Sequence, residues 1–131
     1  MSNTTKIITT LAIVVIVIVG MKLVITSVKT PAKYEVFAQC LKDKGVKFYG
    51  AFWCPHCQAQ EKDFGMSRQS LQTTGLYTEC SNSDGQSQTQ ICIDNKITSY
   101  PTWKFPDGTE LTGETPLATL AEKSSCPLPA K

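Results

Sequence analysis

The sequence predicts an α/β domain, with a central mixed sheet flanked by helices, preceded by one membrane-spanning helix. Three observations support this class. Residues 7–28 are almost all apolar, and about 20 such residues cross a bilayer. From residue 34 onwards, helix-like and strand-like segments alternate. A Cys-x-x-Cys tetrapeptide directly follows one of the strands. The expected divisions are a tail (1–6), an anchor or uncleaved signal (7–28), a tether (29–33), one domain (34–126) and a second tail (127–131).

The elements of the domain follow from local patterns. Gly45 is a good C-cap for the first helix, and Asp107-Gly108 is typical of a hairpin turn. Thr115 is predicted as the N-cap of the last helix, with Pro116 at the first helical position. Parallel pairing of strands in this order requires helical crossovers. Helices are expected over residues 34–44, 55–64, 67–72, 86–94 and 117–123, and strands over 46–53, 76–80, 102–105 and 110–112.

The most informative motif is Cys54-Pro55-His56-Cys57, at the point where a strand turns into a helix. Two cysteines at this spacing can close a small disulfide, and the first sulfur then sits by unpaired amides of the helix N-terminus. The positive helix end favours thiolate over thiol, and His56 adds to this when it is protonated or donates a hydrogen bond. We therefore expect Cys54 to be an exposed nucleophile and Cys57 the buried resolving thiol.

Other uses of such a pair fit this sequence less well. A zinc site needs a second ligand pair at similar spacing, whereas Cys80 and Cys92 are far apart and His56 is the only histidine. Covalent haem attachment needs a histidine where Gln58 stands. A purely structural disulfide is the remaining alternative, although a strand end behind Trp53 is an exposed place for one. No metal or other cofactor is expected.

A second diagnostic segment is Tyr100-Pro101, at the start of a predicted strand. Proline cannot donate to the ladder of a sheet, and it often lies in a turn or follows a cis bond. On its own, this residue would be an ordinary strand-start proline. Downstream of a Cys-x-x-Cys motif, however, it predicts a loop that faces the two sulfurs.

Together these features resemble the thioredoxin superfamily, and more narrowly the thioredoxin-like domain fused to bacterial and plant homologues of vitamin K epoxide reductase. The segments that carry the resemblance are FAQCL (37–41), FYGAFWCPHCQ (48–58), FG (64–65), EC (79–80), YPTW (100–103) and LA (120–121). It implies a thioredoxin fold in which Trp53, Tyr100 and Pro101 face the substrate beside Cys54. It also implies a thiol:disulfide oxidoreductase that passes disulfides to exported cysteine-containing proteins.

The same resemblance implies reoxidation by a quinone-reducing membrane partner. Because the four-helix reductase is absent from this sequence, we expect either a separate partner protein of that type or another redox partner.

The motif also bears on the direction of electron flow. Pro55-His56 between the cysteines favours an oxidant, because a stabilised thiolate makes the reduced form favourable. Thioredoxin-type reductants carry a buried acid six residues before the first cysteine, where this chain has Phe48. Proton transfer at the resolving thiol must then rely on another group, such as Glu61, Lys104 or water. We expect a disulfide donor; a reductant, an isomerase, or a copper or haem-thiol assembly factor is the alternative.

The four remaining cysteines favour two structural bridges. Cys80 ends a strand and Cys92 lies on the next predicted helix, so a local bridge closes easily. Cys40 on the first helix and Cys126 after the last would tie the two ends of the domain together. The alternative is that Cys80 and Cys92 form a second redox pair that relays electrons to Cys54.

The apolar segment sets the location. Residues 7–28 favour an anchor over a cleaved signal, because small residues at cleavage-site spacing do not follow the run clearly. Lys22, Lys29 and Lys33 outnumber the positive charges before the span, which by the positive-inside rule would leave the domain in the cytoplasm. Six cysteines in one small domain instead indicate an oxidising compartment, so we expect the domain on the extracytoplasmic side.

With a net charge of only +2, nucleic-acid binding is not expected.

Overall fold

The computed structural model describes residues 3–26 and 33–130, which belong to two separate units. The first unit contains one helix, α1 (Asn3–Thr26). Its segment Asn3–Met21 is long and apolar enough to span a membrane. Residues 27–32 lie outside the described part of the chain, so the end of the predicted span and most of the predicted tether do too.

The second unit is a mixed sheet with helices on its faces, which confirms the predicted α/β class. Strand order is β2-β1-β3-β4, with β1 and β2 parallel and the other two pairs antiparallel. The elements are α2 (Glu35–Asp43), β1 (Lys47–Gly50), α3 (Pro55–Asp63), α4 (Arg68–Thr74), β2 (Tyr77–Glu79), α5 (Gln90–Asp94), β3 (Thr102–Lys104), β4 (Glu110–Thr112) and α6 (Leu117–Ser124).

Four stacked aromatic rings form the centre of the core. Phe48 on β1 stacks on Trp103 of β3 with ring centroids 4.6 Å apart. Phe64, just after α3, lies 6.0 Å from Trp103 and 5.8 Å from Phe37 of α2. All four side chains are fully buried. The stack therefore joins the sheet to α2 and α3, and it fixes the position of the helix that begins at the Cys-x-x-Cys motif.

A buried amide connects α3 to the loop before α6. Gln60 Oε1 accepts from the Thr115 backbone N–H at 2.7 Å and from Trp103 Nε1 at 3.3 Å. Its Nε2 donates to the Thr115 carbonyl at 3.0 Å. Every hydrogen-bonding group of this buried side chain is used productively, which offsets the cost of burying it.

One predicted N-cap and one predicted helix start are wrong. The last helix begins at Leu117, as predicted, but its N-cap is Pro116 rather than Thr115, because the Thr115 backbone is bonded to Gln60 instead. The helix expected from residue 86 begins only at Gln90. Before it, the carboxylate of Asp84 accepts from the backbone N–H groups of Gln86 and Ser87, which holds that segment in a turn.

Candidate active site

The Cys-x-x-Cys motif lies where β1 ends and α3 begins. β1 stops at Gly50 rather than at residue 53, and the chain turns through Ala51, whose carbonyl accepts from the Cys54 N–H at 3.0 Å. Cys54 is the N-cap of α3 with an extended backbone, and Pro55 fills the first helical position. Proline suits this position because it lacks the N–H that would be unpaired there. Cys54 therefore sits at the positive end of the helix.

Both thiols of the motif are free and buried in the structure. Cys57 is 0% exposed and Cys54 is 5% exposed. The expectation of an exposed Cys54 is therefore wrong, although Cys54 is the more accessible of the two. The reason is the Tyr100-Pro101 loop, whose Tyr100 carbonyl accepts from Cys54 Sγ at 3.8 Å. A substrate sulfur must enter beside this loop.

The Tyr100-Pro101 peptide is cis and packs against the motif, as the proline pattern predicted. Trp53 is 49% exposed, and its ring meets that of Tyr100 edge-on at 6.1 Å. The indole Nε1 donates to Ser81 Oγ at 2.9 Å, which fixes the ring orientation. Phe52 beside it is also exposed. Trp53 and Tyr100 thus form an aromatic rim beside Cys54.

The turn before Cys54 is held at both backbone groups of one residue, Phe52. Glu79 Oε1 accepts from the Phe52 N–H at 3.1 Å. The Phe52 carbonyl accepts from Arg68 Nη2 and from Gln58 Nε2, each at 2.9 Å. The roles of Glu79 and Arg68 were missed from the sequence. Glu79 could have been found from the parallel pairing of β1 with β2, which places it opposite Gly50.

The His56 ring is hydrogen-bonded to Glu114 rather than to either sulfur. Its Nδ1 lies 2.6 Å from Glu114 Oε1, and both side chains are well exposed. The ring lies two residues from Cys54 in sequence, and a positive charge on it would act on the sulfur only through space, screened by solvent.

Burial dominates the electrostatics of the resolving cysteine. It raises the pKa of Cys57 to about 12, and the negative charge of Glu61 adds to the effect. Burial is also the main cause that raises the pKa of Tyr77, and electrostatic repulsion from Glu79 and Cys57 raises it further. The neutral thiol is therefore strongly favoured at Cys57, and catalysis needs a group that exchanges its proton.

One of the two side chains proposed for that proton transfer lies elsewhere. Lys104 is paired with Lys47 at the start of β1, and its Nζ contacts the Asn95 carbonyl and Glu110 Oε1, each at 2.6 Å. It is therefore at the other end of the strand from the motif. Glu61 on α3 is nearer, but its Oε1 accepts from Arg68 Nε at 2.9 Å.

The remaining cysteines form two disulfides in the structure. Cys40 is joined to Cys126 with Cα atoms 5.9 Å apart, and Cys80 to Cys92 with Cα atoms 5.4 Å apart. These are the pairings that the sequence favoured. Cys80 and Cys92 are both fully buried. Within residues 3–26 and 33–130, no cluster of three histidine, cysteine or acidic side chains is placed to bind a metal.

Comparison with known proteins agrees with this geometry. No family model matches the chain. It is similar to the thiol-disulfide oxidoreductase LTO1 of Arabidopsis thaliana, with 41% identity over 88 residues, 65% of this chain and 22% of LTO1. It is also similar to protein disulfide-isomerase A2 of Homo sapiens, with 33% identity over 60 residues, 46% of this chain and 11% of that protein. The match thus spans about a fifth of the first relative and about a tenth of the second.

Both relatives are named for thiol–disulfide chemistry. The structure supplies the matching parts, a mixed sheet with flanking helices and a dithiol under a cis-proline loop. The domain that follows the apolar helix therefore has a thioredoxin-like fold, and over the matched residues it is similar to proteins named for thiol–disulfide exchange.

Proposed function

We propose that this protein is a membrane-anchored disulfide donor for exported, cysteine-containing proteins. The observation that supports this most is the pair of free thiols at the N-terminus of α3, of which Cys54 is 5% exposed beside the aromatic rim and Cys57 is fully buried. This asymmetry suits a nucleophile and a resolving thiol.

The proposed reaction is a two-electron exchange between dithiols. A substrate thiolate attacks Cys54 Sγ of the Cys54–Cys57 disulfide, and Cys57 leaves as a thiolate that takes up a proton. A second substrate thiolate then attacks the substrate sulfur bonded to Cys54. The substrate leaves with a disulfide, and the protein is left as the reduced dithiol.

The donor direction is supported by what lies behind the dithiol. Phe48, six residues before Cys54, is fully buried and stacked on Trp103. No acid therefore occupies the position that the reductants of this superfamily use. The helix N-terminus beside Cys54 favours the reduced, thiolate form, which makes the disulfide a better oxidant.

The location and the redox partner complete the proposal. The apolar α1 anchors the protein, and the two disulfides favour the oxidising, extracytoplasmic side of the membrane. A quinone-reducing membrane protein of the vitamin K epoxide reductase type would reoxidise the dithiol, in line with the family resemblance of the motif segments.

Trapping of mixed disulfides tests the proposed roles. Cys57→Ser should accumulate covalent adducts with substrate proteins, because Cys54 can still attack but nothing resolves the product. Cys54→Ser should accumulate none. Non-reducing electrophoresis and mass spectrometry of the adducts measure this in intact cells. Adducts with Cys80→Ser but none with Cys57→Ser would refute the assignment.

Alkylation of intact cells tests the direction and the side of the membrane. A disulfide donor is expected to hold Cys54 and Cys57 mainly oxidised at steady state, and to become reduced when its reoxidising partner is removed. A mainly reduced dithiol would indicate a reductant or isomerase instead. A membrane-impermeant maleimide should label Cys54 after mild reduction only if the domain is extracytoplasmic.

A further inference from the structure

The resolving thiol has no evident proton partner on the side where an acid would be expected. Cys57 is fully buried, and burial raises its pKa to about 12. Phe48 occupies the position six residues before Cys54, and its buried apolar ring has no group that can exchange a proton. Any proton that Cys57 gains or loses must therefore pass through another group that lies close to its sulfur.

Gly50 opens a space in which such a group is found. A Cβ atom at Gly50 would lie 3.0 Å from Cys57 Sγ and 3.0 Å from the Tyr77 hydroxyl oxygen. It would also lie 2.8 Å from Cε2 of the Tyr77 ring. The sulfur and the phenol thus converge on the space that the missing side chain leaves, and any residue larger than glycine would push one of them away.

The Tyr77 hydroxyl continues towards solvent through a carboxylate. Tyr77 is buried, and its hydroxyl donates to Glu79 Oε2 at 3.1 Å. A phenol that donates one hydrogen bond keeps its lone pairs free to accept another. The side chain of Glu79 is 22% exposed, so it can exchange protons with water. The Tyr77 hydroxyl lies near Cys57 Sγ, at the space beside Gly50, and its hydrogen bond to Glu79 leads from there to the surface.

We propose that Tyr77 and Glu79 are the proton route of Cys57. The proposal rests on the disulfide-exchange function proposed above. When Cys57 leaves as a thiolate, the Tyr77 hydroxyl donates its proton to the sulfur and is reprotonated from water through Glu79. In the reverse direction, Cys57 gives its proton to Tyr77 as Tyr77 passes its own to the Glu79 carboxylate. The Cys57 thiolate then attacks Cys54 Sγ, and the bond from Cys54 to the substrate sulfur breaks. Tyr77 remains a neutral phenol before and after each transfer.

Other ionisable groups also face this region and must be separated from the route. Glu61 on α3 is buried and accepts from Arg68 Nε on α4. Arg68 Nε also lies 3.9 Å from Glu79 Oε2. Cys54 is the third such group, across the motif from Cys57. The guanidinium occupies one oxygen of Glu61, whereas the only side chain bonded to Tyr77 among the described contacts is that of Glu79.

The test uses the full-length protein in detergent, reduced and then mixed rapidly with oxidised glutathione. The phase that depends on glutathione concentration reports attack by Cys54, and the concentration-independent phase reports resolution by Cys57. General acid–base catalysis contributes about 10²–10⁴-fold. We expect Tyr77→Phe to slow the second phase at least about tenfold near pH 7 and to leave the first phase unchanged. Glu79→Gln should slow the second phase in the same way.

The pH dependence separates proton transfer from a structural effect. As the pH rises towards the pKa of Cys57, about 12, hydroxide removes the proton directly. The deficit of Tyr77→Phe should therefore shrink at high pH. Tyr49→Phe is the matched control, since Tyr49 is also a buried tyrosine but packs in the separate cluster around Cys80 and Cys92. It should leave both phases unchanged.

Each other outcome overturns the proposal. An unchanged rate in Tyr77→Phe, or a deficit equal at every pH, would show that the hydroxyl has no part in proton transfer. A pH-dependent loss in Glu61→Gln with none in Tyr77→Phe would assign the base to Glu61. If the unmodified protein lacks a concentration-independent phase that Cys57→Ser abolishes, the proposed function itself is wrong.

Discussion

Removal of the two structural disulfides should destabilise the domain by clearly different amounts. The bridge from Cys40 to Cys126 joins residues 86 apart, whereas that from Cys80 to Cys92 joins residues 12 apart. On the chain-entropy model, these loops correspond to about 4 to 5 kcal/mol and about 3 kcal/mol of stabilisation. The pair of alanine replacements at Cys40 and Cys126 should therefore cost about 2 kcal/mol more than the pair at Cys80 and Cys92.

Urea unfolding of the full-length protein in detergent measures this difference. Fluorescence of the fully buried Trp103 reports loss of the core. Both variants should be compared with the unmodified protein while Cys54 and Cys57 are kept reduced, so that only the structural bridges differ. A difference of about 2 kcal/mol corresponds to a difference of about 10 °C in Tm for a domain of this size.

Packing makes the opposite prediction, which allows a clear refutation. Cys80 and Cys92 are both fully buried, whereas Cys40 is only half-buried. If lost packing dominated, the alanines at Cys80 and Cys92 would leave the larger voids and cost more. A larger loss of stability for that pair would therefore refute the chain-entropy reasoning.

Two further changes test the surroundings of the motif. Gly50→Ala should slow resolution by Cys57 and destabilise the domain by about 1–3 kcal/mol, because its Cβ would lie 2.8 Å from the Tyr77 ring. Glutathione kinetics measure the first effect and urea unfolding the second. Unchanged kinetics would contradict the close approach of Gly50, Tyr77 and Cys57. His56→Ala should make the reduction potential more negative, because the Cys54 thiolate loses a cationic neighbour. The shift, measured in glutathione buffers, should diminish at high salt because the ring is exposed, and an unchanged potential at low salt would exclude a tuning role.

Local patterns predicted the features that depend on short segments. The Cys-x-x-Cys turn and the hairpin at Asp107-Gly108 each depend on residues adjacent in sequence, whereas the proline loop was predicted from Tyr100-Pro101 together with the upstream motif. The cysteine pairings were favoured because Cys40 and Cys126 lie at the two ends of the domain, and because a polar loop brings Cys92 back to Cys80. The α/β class followed from the order of such segments.

Features that depend on contacts between distant segments could not be predicted in the same way. The turn held by Asp84 makes α5 begin later than its sequence suggests. The Gln60 amide bonds the Thr115 backbone, so Thr115 does not cap α6. In both cases a side-chain hydrogen bond outweighs the local helix signal. Burial of Cys54 depends on the Tyr100 carbonyl, and that contact exists only after the loop docks. Tyr77 comes near Cys57 only through the register of β2 on β1, which pairs Tyr77 with Phe48 and Glu79 with Gly50.

The two oxygens of Glu79 have separate partners. Oε1 accepts from the backbone N–H groups of Phe52 and Ser81, at 3.1 and 3.0 Å, while Oε2 faces Tyr77 and Arg68. A proton that arrives from Tyr77 lands on Oε2, and the lone pairs of Oε1 remain available to the backbone. One side chain can thus change its charge during turnover without releasing the turn that positions Cys54.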